Sequence, residues 1–211
     1  MNVFITGNDT DVGKTYVTCL LLKALRQAGH RAAGFKPICC GDRDDCIALQ
    51  AAGDPSLTVD DINPVWLRTP AAPYAASMIE NRPINIDHIV RSFSQLDESM
   101  DAVLIEGAGG WEVPITRDFM VGDLACRFNL PVILVVNNRL GALNHTILTA
   151  KAISRRGLRC AGLILNHVQI ERHSATITNR AILEDVLDLP ILAEVTHGET
   201  DILSFDWSTL Q

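Results

Sequence analysis

Gly13, Lys14 and Thr15 stand between an apolar run, NVFIT, and a helix-forming stretch, YVTCLLLKALRQAG. A lysine and a hydroxyl at the start of a helix, after a glycine-containing loop, suit a nucleotide's phosphates. The free N–H groups and the helix dipole favour an anion, the ammonium meets the β- and γ-phosphates, and the hydroxyl faces Mg²⁺. The full stretch, GNDTDVGKT over residues 7–15, departs from the usual spacing by one place. Asn8 stands where the first glycine is expected, and asparagine tolerates the positive φ that such a glycine often supplies.

More chemistry-bearing residues stand at the ends of other apolar runs. Lys36 closes RAAGFK just before Pro37, where its ammonium can meet charge on a transferring phosphoryl group. Asp42, Asp44 and Asp45 follow, either as helix caps or with one of them facing a hard cation. Glu106 ends DAVLIE and is followed by Gly107, Ala108, Gly109 and Gly110, so a carboxylate and an approachable backbone lie together. Asn166 ends RCAGLILN, either as a turn former or as a group whose donor and acceptor match an adenine edge.

The elements that must position these residues alternate. Strands are expected over 2–6, 31–36, 101–106, 131–136, 159–166 and 190–195, and helices over 14–29, 44–52, 84–97, 118–129, 144–156 and 174–187. Several strands are apolar without alternation, as in parallel sheets covered on both faces. The expected fold is one α/β domain over residues 1–211, a parallel sheet between helix layers of the P-loop nucleoside triphosphate hydrolase type. Residues 53–83, with five prolines, read as an irregular excursion. Ligands of such sheets bind at the carboxyl ends of the strands, where the residues above fall.

Composition narrows the classes. Hydrophobic residues make up 47% and charged residues 20%, as in soluble globular chains. A net charge of −7 without runs of like charge argues against a nucleic-acid surface. No segment has the length and apolarity of a membrane span, and residue 2 opens a strand instead of a signal peptide, so a cytoplasmic protein is expected. Cys19, Cys126 and Cys160 read as core residues. Cys39, Cys40 and Cys46 cluster in one loop without a second Cys or His pair at zinc spacing.

GNDTDVGKT, the KP step at 36–37, EGAGGW, LPVILVV, LGALNHTILTA and the asparagine at 166 occur in this order in a known family. On these motifs the chain resembles the ATP-dependent dethiobiotin synthetases, over nearly its whole length to about residue 195. The shifted loop count is that family's own, with Asn8 replacing a usual threonine. The resemblance implies that ATP and Mg²⁺ serve a ring closure: 7,8-diaminononanoate takes up CO₂ as a carbamate, ATP phosphorylates it, and the second amine displaces phosphate. It implies that Asp11, Val12, Gly13, Lys14, Thr15 and Tyr16 wrap the phosphates, and that Thr15, Asp45 and Glu106 serve the metal. Lys36, with Lys14, becomes catalytic, Gly107 to Gly109 line the site, and Asn166 with His167 meets the base. The substrate falls to Thr10, Lys36, Cys40 and, across a homodimer interface, the helix start with Gly141, Leu143 and Asn144. The family usually has serine at Cys40 and a proline–aromatic step at Thr196-His197-Gly198.

Two other readings share the fold. Switch ATPases of the partition or metal-delivery type often carry an extra lysine early in the loop, and residues 8–12 contain none. A synthetase acting on another small carboxylate is the nearer alternative.

Overall fold

Val3 to Ile5, Val103 to Ile105 and Ile133 to Val136 are fully shielded from solvent, on both faces of their strands. Only a sheet covered on each side by helices gives unbroken apolar strands this environment. The computed structural model describes residues 1–170, 174–202 and 205–210, so part of the acidic tail lies outside the described residues.

In chain order the elements are β1 (Asn2–Gly7), α1 (Lys14–Gln27), β2 (Ala32–Phe35), β3 (Ile38–Cys40), α2 (Asp44–Ala52), α3 (Val59–Ile62), β4 (Val65–Leu67), α4 (Pro73–Glu80) and α5 (Ile86–Asp97). There follow β5 (Ala102–Gly110), β6 (Pro114–Thr116), β7 (Phe119–Met120), α6 (Val121–Phe128), β8 (Val132–Asn137), α7 (Ala142–Arg155), β9 (Cys160–Asn166), α8 (Ser174–Val186) and β10 (Ile191–Val195). A single 3₁₀ turn, Trp207–Leu210, follows β10. Six strands form one sheet in the order β10-β9-β8-β1-β5-β2, and every pairing in it is parallel. The chain leaves β1 toward β2 and later returns to build β8, β9 and β10 on the other side. The crevice at the carboxyl end of β1, between β5 and β8, is therefore the place for a ligand.

Beneath the sheet, aromatic rings link the layers. Phe93 meets Phe128 at 4.9 Å and Phe35 at 6.0 Å between ring centroids, and Phe4 meets Phe128 and Trp111 at 6.3 Å. Edge and tilted contacts of this kind favour one packing of α5 and α6 over another.

Four expectations need correction. Residues 53–83 are not an irregular excursion: α3, β4 and α4 lie there, and β4 pairs in parallel with β3 as a separate small sheet. The capping box of Thr58 and Asp61 starts α3, and Pro73 occupies the first turn of α4, where no N–H is needed. Strand β5 continues through the glycines to Gly110 because its neighbour β1 pairs that far, with Gly7 opposite Gly110. Residues 118–120 belong to the β6–β7 hairpin instead of the following helix. Cys39 and Cys40 sit on β3, while Cys46 is on α2.

Candidate active site

Between β1 and α1 the chain makes a tight loop. Its left-handed residues are Asp11 (φ 55°) and Gly13 (φ 82°), so Asn8 does not supply the positive φ expected of it. Asn8 instead donates to Thr146 Oγ1 on α7 at 3.1 Å. Gly13 is required twice over: by its φ, and because a Cβ there would lie 2.2 Å from Asn166 Nδ2. That amide donates to Val12 O at 2.9 Å and braces the loop from the end of β9. The first turn of α1 has no side-chain cap and no acidic residue, which leaves its N–H groups free for an anion.

Three charged side chains converge below the loop. Glu106 is fully buried, and its Oε1 accepts from Lys36 Nζ at 2.5 Å and from Thr15 Oγ1 at 2.7 Å. Lys36, 5% exposed, also donates to Asp45 Oδ2 at 2.7 Å. Burial works against its charge, but the two carboxylates outweigh burial and raise the Lys36 pKa above the ordinary lysine value. Asp45 titrates low: burial pushes it up, and the Lys36 ammonium, with the Thr15 hydroxyl and Lys14, more than reverses that. Lys14 titrates below an ordinary lysine, mainly through burial and further through Lys36, with Glu106 opposing. Of the neighbouring acids, Asp45 and not the exposed Asp44 holds the lysine.

The donor set fits Mg²⁺. Glu106 Oε2 is buried and has no hydrogen-bond partner among the described residues, an unusual state for a carboxylate oxygen unless something else uses it. With Thr15 and Asp45 beside it, the oxygens are of the hard kind Mg²⁺ takes, few in number as befits an ion that shares its shell with phosphates and water. No group of three or more His, Cys, Asp or Glu able to hold a metal occurs among the described residues, consistent with the absence of a closed protein cage.

Two cavities meet at Lys36 and Asp45. The smaller, about 210 Å³, lies over the phosphate loop and is lined by Gly13, Lys14, Thr15 and Glu106 among others. The larger, about 660 Å³, extends from Thr10 and Lys36 past Cys39 and Cys40 to the segment Pro70–Pro73. Asp11 and Gly109 border both, while Ala108 lines the larger. Burial pushes the Cys40 thiol up to about 11, so it is a neutral group at pH 7. The sequence reading missed Ile38, Val113 and Pro70–Pro73 on the larger cavity. The only sequence signal was the TPAAP turn, whose Pro70 packs close to Gly41.

Other expected site residues lie apart from these cavities. Gly107 is buried against Phe4 and Val121, so it serves packing, and a Cβ there would be 3.0 Å from Val121. The Tyr16 hydroxyl donates to the carbonyl of Glu199, tying α1 to the segment after β10. His167 is turned inward, with Nε2 2.7 Å from Glu194 Oε1, so its ring is already engaged. Gly141, Leu143 and Asn144 form the start of α7 and line neither cavity of their own chain.

Comparison with known proteins agrees with this geometry. A family model described as an AAA domain matches residues 1–200. The ATP-dependent dethiobiotin synthetase of Akkermansia muciniphila is 48% identical over 205 residues, covering 97% of this chain and 96% of that one. The enzyme of the same name from Xylella fastidiosa is 39% identical, over 92% and 89% of the two chains. Among solved structures, the septum site-determining protein MinD from Pyrococcus horikoshii, complexed with Mg-ADP, superposes with a TM-score of 0.59 at 19% identity, covering 92% of this chain and 80% of that one. That likeness concerns the fold, a P-loop nucleotide hydrolase sheet. At these identities and coverages, the chain belongs to the ATP-dependent dethiobiotin synthetase family.

Proposed function

We propose that this protein closes the ureido ring of dethiobiotin from 7,8-diaminononanoate, CO₂ and ATP, a step of biotin synthesis. The names of its relatives support the product and the use of ATP, and one observation supports the chemistry: Lys36 lies buried at the seam between the phosphate-loop cavity and the larger one, held by Glu106 and Asp45.

In this reading ATP lies along the small cavity, with its phosphates on the N–H groups from Asp11 to Tyr16 and on Lys14. The diamine fills the large cavity past Thr10 and Cys40. One amine adds to CO₂ and loses a proton, giving a carbamate beside Lys36. The carbamate oxygen attacks the γ-phosphorus, the bond to ADP breaks, and a carbamic–phosphoric anhydride forms. The second amine then attacks the carbonyl carbon, phosphate leaves and takes up the proton this amine loses, and the five-membered cyclic urea is closed. Lys36 stabilises negative charge first on the carbamate and then on the transferring phosphoryl group, where one preorganised cation matters most. Thr15, Asp45 and Glu106 would hold Mg²⁺, which would offset charge on the phosphate oxygens.

The α7 start, with Gly141, Leu143 and Asn144, takes the substrate's carboxylate in the partner protomer of a homodimer. Its position outside the two cavities that meet at Lys36 supports this, as do Leu140 just before α7 and Leu148 on it, 84% and 59% exposed. Among the described residues no helix is long and apolar enough to cross a membrane, and with the six free thiols this supports a cytoplasmic enzyme. The direct test supplies purified protein with the diamine, bicarbonate and MgATP and looks for dethiobiotin by mass. Product that needs all three supports the reading. ATP turnover without product, under conditions where a known synthetase makes it, overturns it.

A further inference from the structure

Strands β8, β9 and β10 end side by side, and a buried polar cluster lies across those ends. Asn138, Asn179, His167 and Thr176 are 4%, 3%, 7% and 7% exposed. Asn138 Oδ1 accepts from Asn179 Nδ2 at 2.8 Å, and Asn138 Nδ2 donates to Thr176 O at 3.0 Å. The Asn138 N–H donates to Asn166 O at 2.9 Å. Asn179 Nδ2 also donates to Arg139 O at 3.1 Å, the carbonyl that accepts from Ala142 N as α7 begins. His167 Nε2 faces Asn138 at 3.4 Å and closes the cluster onto Glu194, which pairs with Arg180.

Burying two amides and an imidazole is costly unless each is hydrogen-bonded, and an apolar filling would hold three strands together as well. What the amides add is direction. The turn Arg139–Gly141 is exposed, and Gly141 has a φ of 90° with nothing within 4 Å of where a Cβ would stand. Its fixed points are Asn138 and the Arg139 carbonyl, together with a looser contact of Arg139 with Asp9 at 3.6 Å. The cluster thus sets the start of α7 relative to the end of β9 and the phosphate loop that Asn166 braces.

We propose that Asn138 and Asn179 are positioning residues that orient the start of α7 for the carboxylate of the substrate. This rests on the reading of α7 given above, and the test separates the two. Steady-state kinetics are measured for Asn138→Ala, Asn179→Ala, the double variant and Asn144→Ala, which probes α7 directly. The expected result is a KM for the diamine that rises roughly tenfold in each single variant, with the KM for ATP unchanged. The double variant should be no worse than the worse single one, because both act through one turn. Asn179→Asp keeps the shape but removes the amide donors, and serves if the alanine variants do not fold. Equal rises in both KM values, or an unchanged diamine KM in the Asn138 and Asn179 variants while Asn144→Ala raises it, overturns the proposal and leaves the α7 reading intact. An unchanged diamine KM in all of them, in protein that still makes product, removes both.

Discussion

Replacing Lys36 by methionine removes the one cation that bridges Asp45 and Glu106 while keeping the aliphatic stem. Glu106 is fully buried and would then retain only the Thr15 hydroxyl, with Lys14 close by. Removing one partner of a buried pair costs ~3–5 kcal/mol. The low end applies here, because the Asp45 side chain is 50% exposed and is stabilised by water once released. With ~3 kcal/mol lost and ~2–4 °C per kcal/mol for a chain of this size, the melting temperature should fall by roughly 6–12 °C without ligands. The same change leaves two carboxylates uncompensated, so Mg²⁺ no longer competes with an ammonium for them. Calorimetric scans with and without Mg²⁺, and no nucleotide, should show the variant gaining more from the ion than the wild type does. A variant that melts within ~2 °C of wild type, or an equal gain from Mg²⁺ in both proteins, refutes the reasoning, since either means the ammonium does not hold the pair.

Cys40→Ser should keep or lower the KM for the diamine, because a hydroxyl is the better hydrogen-bond partner in the same cavity; a large rise contradicts this. Asp45 titrates low in the fold, so its stabilisation is full above the ordinary aspartate pKa of ~3.9 and is lost as the pH falls through the lower folded value. The melting-temperature gap between wild type and Asp45→Asn should therefore be constant near neutrality and narrow as the solution is made strongly acidic, and a gap that does not narrow at all in acid is inconsistent with the ion pair. Lys36→Ala and Gly141→Trp, each inactive alone, should recover part of the activity when refolded together, since a mixed dimer holds one site intact in both parts. No atom lies near an added Cβ at Gly141, but its φ of 90° strains any side chain, so dimer formation by Gly141→Trp is checked before the mixing. Mixed dimers that form but stay inactive, while wild type treated in the same way recovers, exclude a shared site.

The strand ends were legible because parallel burial writes itself as unbroken apolar runs, and the chemistry-bearing residues follow those runs directly. Thr15, Lys36 and Glu106 come together at the start of α1, after β2 and on β5, and Asp45 on α2, which position alone did not separate from Asp42 and Asp44, joins them. What the sequence hid depends on contacts between distant segments. Nothing local says that the Pro70–Pro73 turn folds back over Gly41 to wall the larger cavity, or that β5 runs on through its glycines because β1 pairs with them. His167 follows Asn166 directly at the end of β9, yet its ring meets Glu194 while the Asn166 amide meets the phosphate loop. Asn8 had the right chemistry for a left-handed turn, but Asp11 and Gly13 take that conformation.

The central claim is that Lys36 meets the charge that develops as the ring closes. Single turnovers with labelled bicarbonate, the diamine and MgATP test it most directly, comparing wild type, Lys14→Ala and Lys36→Ala. Wild type should form one labelled cyclic urea for each ADP, and Lys14→Ala should chiefly weaken ATP binding. Lys36→Ala should still bind ATP but close the ring ~10²–10³ times more slowly at saturating substrate. Wild-type rates of ring closure in Lys36→Ala would contradict the account.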